Sequence, residues 1–544
     1  MLKKLKYITF VIIALSLVNT LASRFYSRLD LTVDNRYTLS YTTKDLLEDV
    51  DQDIWISVYL KGDFPLDFKR LQQATKQHLE ELKSHNSHIR FTFNNPLGLE
   101  NELINKGMQP SRLTVEENGS VKEVVIFPWA EITYKNRTTL VPLLFSSNQA
   151  GGSQLQHSIE NLEYGFSNAI NTLMQDKRKS IAVLRGNGEL ENIYLYDFLN
   201  NLKDKYNLAE YTLESATNFP ENTLDGIKKY DMLLIAKPTK AFSENEKLIL
   251  DQYITNGGKS LWLLDHVTAE MDSLQQTGEA YFMARNLNLT DLLFSYGARI
   301  NHDLVQDLYS SKIAIATGNI GNKTQFKQFL WHHYPLVKPS SKHAISKNIE
   351  AVNLKFPSSI DTLKNTIKKQ ILLQSSPLTK ITGLPNIISL NAIANKPTPD
   401  DFSSKSKILG VLLEGEFQSA YSHRTKPFET DFIAKGKPNK MIIISDGDII
   451  ANQISKGEPT KMEIDKWTGQ RFGNKDFLNN AVDYLLDDTG LLSIRGKALN
   501  IKLLNKEKTH NQRAFWQVLN VVLPLLGLLI FGLIYRFLRH RKYQ

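Results

Sequence analysis

The sequence predicts an α/β protein: two α/β domains, the larger on a mostly parallel, doubly wound sheet, set between an N-terminal and a C-terminal transmembrane helix. Three observations predict it. Short apolar runs at Ser180–Leu184 (SIAVL), Asp231–Ala236 (DMLLIA), Ser260–Leu264 (SLWLL) and Met441–Ile444 are separated by helical segments at Tyr194–Lys205 and Glu244–Thr255. Continuous apolar strands spaced by helices describe a parallel sheet covered on both faces. Ala514–Tyr535 then runs 22 residues without a charge, and Tyr7–Ser23 forms a second uncharged run behind Lys3, Lys4 and Lys6.

The C-terminal run is long enough to cross a hydrocarbon core as a helix, at ~1.5 Å per residue against ~30 Å. Pro524 and Gly527 are tolerated in such helices. Trp516 and Tyr535 sit where interfacial anchors belong, and Arg536, Arg539, Arg541 and Lys542 form a basic stop. The N-terminal run has the charge order of a signal sequence or signal anchor. Thr20-Leu21-Ala22 is a poor cleavage site, so the retained anchor is the favoured reading and removal stays open. With no cysteine in 544 residues, the chain has no disulfide, thiolate metal site, cysteine nucleophile or lipid-bearing cysteine.

Basic residues flank both faces of each span: Arg24 and Arg28 follow the first, and Lys502, Lys506, Lys508 and Arg513 precede the second. Length therefore decides the orientation, since a long domain translocates largely regardless of charge. The expectation is an inner-membrane protein with both termini cytoplasmic and its large domain periplasmic. An apolar fraction of 42% fills cores, and this length calls for more than one. The net charge of +9 is interspersed with acidic residues, which points to a solvated basic surface facing anionic lipid and not to nucleic acid.

The expected divisions are an anchor over 1–24, a small α/β domain over 25–145, a linker and connecting helix over 146–177, the larger domain over 178–500 and the terminal helix over 514–536. Within the larger domain, about 309–440 is an irregular insertion. Thr42 and Asp45 resemble a capping box. Ile54–Leu60 and Ile89–Phe93 read as strands around a helix, and Asn118-Gly119 as a hairpin turn. SSNQAGGS at 146–153 is the linker, followed by one helix over Gln154–Met174. His78, His85 and His88 lack the spacing of a metal site. Trp331-His332-His333-Tyr334 reads as a partly buried aromatic segment with surface histidines.

Ligands on parallel sheets sit outside the carboxyl ends of the strands. Those ends supply the candidate ligand-binding residues Arg185, Asn187, Glu189, Asp265, Asp446 and Asp448. Gly186 and Gly188 form a G-x-G without the third glycine of a dinucleotide loop, which also suits a tight turn. The aspartates are carboxylates for a cation or caps for the segments that follow. No Ser-His-Asp signature, nucleophile elbow or Walker sequence occurs, so no catalytic residue, metal or cofactor is assigned.

Several stretches carry a family likeness: LDLT (29–32) with RYTLS (36–40), IAVLRGNGE (181–189), NGGKSLWLLD (256–265), SDGDIIAN (445–452), FGNKDFLNNAVDYLL (472–486) and LSIRGK (492–497). Here the chain resembles the auxiliary components of gliding-associated ABC transporters of Bacteroidota, within the wider ABC-transport auxiliary family. The resemblance implies a non-ATPase subunit working beside an ABC permease and an ATP-binding subunit. Its further partners would be gliding or envelope machinery proteins and membrane lipid. It also implies a glutamine-amidotransferase-like or flavodoxin-like sheet, without the amidotransferase cysteine and so without that reaction. Two alternatives stay open: a tethered periplasmic solute-binding protein, and a periplasmic hydrolase using Glu189 and the Asp446–Asp448 loop. Gly527 and Gly532 are the expected close-packing positions against partner helices in the membrane.

Overall fold

Two sheets build the body of the protein. The computed structural model describes residues 38–496, less 63, 65, 118–119, 145–151, 176–177, 322, 341–342, 348 and 395–396, together with 511–542 and, near the start, 10–11, 13–17 and 19. Residues up to Lys497 form one compact unit and Ala498–Gln544 a second.

The first sheet contains β1 (Ile54–Val58), β2 (Ile89–Phe93), β5 (Trp129–Tyr134) and β6 (Arg137–Pro142) in the order β2-β1-β5-β6. β1 and β2 are parallel, joined through the helix Leu66–His85, and β5 runs antiparallel to β1. β3 (Ser111–Glu117) and β4 (Ser120–Ile126) pair as a separate antiparallel ribbon. The Asn118-Gly119 turn lies outside the described residues, as does most of the N-terminal run, which is helical at its described positions.

The first described cap differs from the sequence reading. The helix Tyr41–Glu48 is capped by Ser40, whose hydroxyl accepts from the Thr43 amide at 3.2 Å. Glu163 accepts from the Ser40 amide at 2.6 Å and from the Thr43 hydroxyl at 3.0 Å. Thr43 is thereby committed to the Gly152–Met174 region, which is itself two helices, Gly152–Glu160 and Leu162–Met174. They part at Asn161, whose side-chain amide donates back to the His157 carbonyl at 2.8 Å and competes with the helix ladder.

The second sheet starts with β7 (Ser180–Arg185), β8 (Asn207–Thr212), β9 (Met232–Ala236) and β10 (Lys259–Leu263). After β10 come shorter pieces: β11 (Glu279–Phe282), β12 (Ala298–Ile300), β13 (Asp303–Asp307), β14 (Ser310–Ile320), β15 (Lys323–Val337) and β16 (Val352–Asn353). β17 (Ile360–Thr362), β18 (Lys368–Gln374), β19 (Thr379–Gly383), β20 (Asn386–Ser389), β21 (Ile408–Gln418) and β22 (Lys435–Ile444) follow. The sheet order is β12-β17-β21-β22-β10-β9-β7-β8, with β18 also on β21. From β22 through β8 every neighbouring pair is parallel. β21 is antiparallel to β22 and turns the rest of the sheet over.

Alternation within the parallel strands explains their continuous apolar runs. Ile181, Val183, Leu234, Leu263 and Ile444 pack on one face with the helices Asn192–Lys203 and Asn474–Leu486. Ala182, Leu233, Trp262 and Ile443 face the helices Pro220–Ile227, Glu244–Thr255 and Thr290–Tyr296. The first cluster continues without a break into the first sheet through Leu47, Ile56 and Phe166. Asp483 ties the helices together: it accepts from Lys205 at 2.9 Å and Tyr206 at 2.8 Å within the second sheet's layer, and from Tyr164 of Leu162–Met174 at 3.3 Å.

In the second unit, Arg513–Lys542 is a continuous helix with Pro524 inside it. Its Arg513–Arg541 portion reaches a mean hydropathy of 2.4 in its best window and has no buried residue there. Among the described residues it is the one helix long and apolar enough to cross a membrane.

Candidate functional site

The carboxyl ends of the parallel strands form two connected clusters. The first grows from β10 and β22. Asp265, Asp446 and Asp448 all converge there, although Asp265 is far from the other two in sequence. The Lys237 ammonium, from the end of β9, lies 2.8 Å from Asp448, 3.0 Å from Glu270 and 3.5 Å from Asp265. Lys237 has a φ of 54°, a left-handed conformation that a lysine seldom adopts. Gly447 passes so close that a Cβ there would lie 2.5 Å from Lys237 Cγ. Only glycine lets the β22 loop close over the ammonium.

Each carboxylate is held differently. Asp265 accepts the Gly447 amide at 2.5 Å, and Asp446 accepts the amides of Lys355 and Asp448, each at 2.8 Å. Burial pushes the Asp265 carboxyl up to about 7, with Lys237 opposing and Asp448 adding to the rise. Burial, then Asp265 and Asp448, also raise Asp446 well above the ordinary carboxylate range. Burial also pulls Asp448 upward, but Lys237 and Lys355 outweigh it and hold this carboxylate below the ordinary range. So Asp448 carries the charge opposite Lys237, while Asp265 and Asp446 favour their protonated forms. Burial, then His302 and Arg285, press the neighbouring His266 down to about 3, a neutral ring.

The second cluster is the loop after β7. Asn187 is 4% exposed; its carbonyl accepts the amides of Thr239 at 2.9 Å and Lys240 at 2.8 Å. The segment Lys237–Lys240 thus joins both clusters. Glu189 accepts the Asn187 amide at 2.9 Å, and burial raises its carboxyl. Asn187 Oδ1 and Glu189 Oε1 are buried and have no hydrogen-bond partner, an unspent accepting capacity at this strand end. Gly188 has no room for a phosphate cradle, because the Thr239 hydroxyl packs where its Cβ would be. Arg185 does not join this group; it donates to the Leu190 carbonyl at 2.6 Å and to Asn192, bracing the loop against the next helix.

Sequence reasoning named the carboxylates and missed what binds them together. Lys237, Glu270, Arg285 and Lys355 are contributed by separate loops. The one signal for Lys237 was its place directly after an all-apolar strand and before Pro238. As for metals, the charge balancing these aspartates is the lysine itself. The histidines of the 331–334 segment also differ from the expectation: His333 is buried, and burial lowers it to about 3, while His332 is half-buried. The two-residue period of β15 turns Trp331 and His333 inward together.

Residues 178–481, more than half the chain and the whole of this site, match a family model described as an ABC-type uncharacterized transport system. The chain belongs to this ABC-transport auxiliary family. Membership gives it an accessory role in an ABC-type transport system, and with the apolar helix of the second unit it points to membrane association. Residues 33–133 match a domain of unknown function, DUF7088, which takes in the first sheet except β6 and the last residue of β5. An uncharacterized protein of Borreliella burgdorferi is 22% identical over 524 residues, covering 95% of this chain and 94% of that one. Among solved structures, the mmIFT52 N-terminal domain aligns over 57% of this family member and 99% of its own chain, at 12% identity and a TM-score of 0.33.

Proposed function

We propose that the chain is a membrane-anchored, non-ATPase accessory subunit of an ABC transporter complex linked to gliding motility. Its two α/β domains stand in the periplasm as an interaction body, with both termini in the cytoplasm. The observation that carries this reading is the union, in one chain, of the auxiliary-family domain and a 29-residue apolar helix with no buried residue in its best window. The parallel strands, numbered in chain order, lie as 2-1-3-4-5, which supports reading the larger sheet as doubly wound and flavodoxin-like. Gly527 and Gly532 have open space where a side chain would begin, with nothing within 4 Å of that point beyond the adjoining residues and backbone of their own helix, which suits surfaces for a permease helix. Capture from native membranes in mild detergent, through a tag on Gln544, tests the reading. Recovery of a permease and its ATPase in fixed ratio is the expected result, and recovery of the protein alone would overturn it.

A second reading has one observation behind it. The unpartnered Asn187 Oδ1 and Glu189 Oε1 sit where the strand order reverses between β7 and β9, the usual ligand position on such sheets. A tethered solute-binding protein would use them to accept hydrogen bonds from a hydroxyl or amine. A ligand-induced rise in melting temperature that Glu189→Gln abolishes would support it.

A further inference from the structure

The ribbon β14–β15 is the largest element that the strand-end site leaves unused. Its base is buried at Ser310, Ser311, Trp331 and His333, but Thr324, Gln325, Phe326, Lys327, Gln328 and Leu330 are all exposed. β15 pairs with β14 along its distal half and with β16 only at Leu336 and Val337. Among the described residues, then, the outer edge of 323–330 has no strand on it. That edge has no proline to blunt it, and the one register shift opposite it, at Ala316/Gly318, puts its extra residue on β14. A two-stranded ribbon standing alone is marginal in water.

We propose that this edge takes up an extended segment of a protein partner as an added strand, and that the segment alternates acidic and apolar residues. Charge and period fix that pattern. From Leu308 to Ile349 the sequence has six lysines and no aspartate or glutamate. Along β15 the alternation puts Lys327 on one face and Phe326 and Leu330 on the other. Phe326 and Leu330 are 51% and 50% exposed, and Trp467 stands beside Phe326 with ring centroids 5.0 Å apart. An added strand therefore meets the Lys327 cation on one face and an aromatic wall on the other, its backbone held by main-chain hydrogen bonds. A second copy of the arm would set lysines against lysines. A lipid surface fits less well, since the tip Gly318–Gly321 has Ile320 as its single large apolar residue and the exposed aromatics lie along the shaft. The inference deepens the accessory-subunit reading and rests on it for the existence of a protein partner.

The test uses full-length protein in neutral detergent and a synthetic decamer alternating glutamate and valine, with a lysine–valine decamer as control. Amide hydrogen exchange over 323–330 should slow by about tenfold or more with the acidic peptide alone. Lys327→Glu should abolish that protection, with exchange elsewhere unchanged as the folding control, and Phe326→Ser should weaken it. Absence of protection, or equal protection by both peptides, overturns the proposal. Protection only by vesicles of phosphatidylglycerol and phosphatidylethanolamine overturns it in favour of lipid. The accessory-subunit reading fails separately, if the unmodified protein purifies without permease and ATPase.

Discussion

Replacing Lys237 by methionine removes one charge and little else. The stem length is kept, and methionine meets the same backbone conformation at φ 54° that lysine already tolerates. What is lost is the cation 2.8 Å from Asp448 and 3.5 Å from Asp265, in a place where the lysine side chain is 6% exposed. Glu270, at 40% exposure, adds little, because water screens such a pair. Breaking a buried pair by deleting one partner costs about 3–5 kcal/mol, and that is the loss expected for Lys237→Met at neutral pH. The loss should depend on pH in a definite sense. Asp448 is held below its ordinary value in the folded protein, so its pairing stabilises above about pH 4 and fades as pH falls through the folded value. Without Lys237 all three aspartates become raised carboxylates, which bind protons in the folded state and penalise it as pH rises. The deficit should therefore be largest at and above neutrality and shrink toward pH 4. Denaturant unfolding of the full-length protein in neutral detergent, followed by tryptophan fluorescence, reads it directly, Trp262 being buried on the adjacent strand. A deficit under about 1 kcal/mol at neutral pH, or one that does not shrink on acidification, would refute the hub assigned to Lys237.

Asp265, raised to about 7, makes the folded protein keep a proton that the unfolded chain has lost above about pH 4, so its contribution falls between those values. Asp265→Asn, which can still accept the Gly447 amide, should flatten the stability profile in that window and surpass the unmodified protein above pH 7; identical profiles would count against the assignment. Gly447→Ala should destabilise by about 1–3 kcal/mol, since its Cβ would meet Lys237 Cγ at 2.5 Å and Cβ at 2.6 Å, and equal unfolding midpoints would show that the loop gives way freely. Gly527→Leu should weaken co-purification of the permease while leaving the protein resistant to carbonate extraction, and undiminished association would remove that glycine from the contact.

Some of this architecture is legible in the sequence for a plain physical reason. Ile181–Leu184, Met232–Ala236 and Met441–Ile444 are buried on both faces, so their apolar runs announce strands unaided. The β14–β15 ribbon is illegible for the opposite reason. Over its distal half neither face is buried, so Lys, Gln, Thr and Phe succeed one another with no core to impose an alternation. Distant partners hide smaller features: Ser40, not Thr42, takes the cap, and the Ser40 amide and Thr43 hydroxyl both donate to Glu163, a residue that no short window contains. At the site, Asp265, Asp446 and Asp448 stand out as carboxylates following apolar strands. Lys237 follows such a strand too, but its role as their counter-charge exists only once β9 is laid between β7 and β10.

The continuity of the core across the two sheets bears on how the body carries load. Leu39, Leu46 and Leu47 at its beginning and Leu491, Leu492 and Ile494 at its end share one cluster with Phe166 and Ile170. The helices Tyr41–Glu48 and Leu162–Met174 both touch the segment Leu491–Gly496. Tension arriving through both ends of the body would be borne at this single knot. It would bypass the parallel strands, and the spacing of Lys237, Asp265 and Asp448 at their far tips would stay fixed while the molecule is pulled.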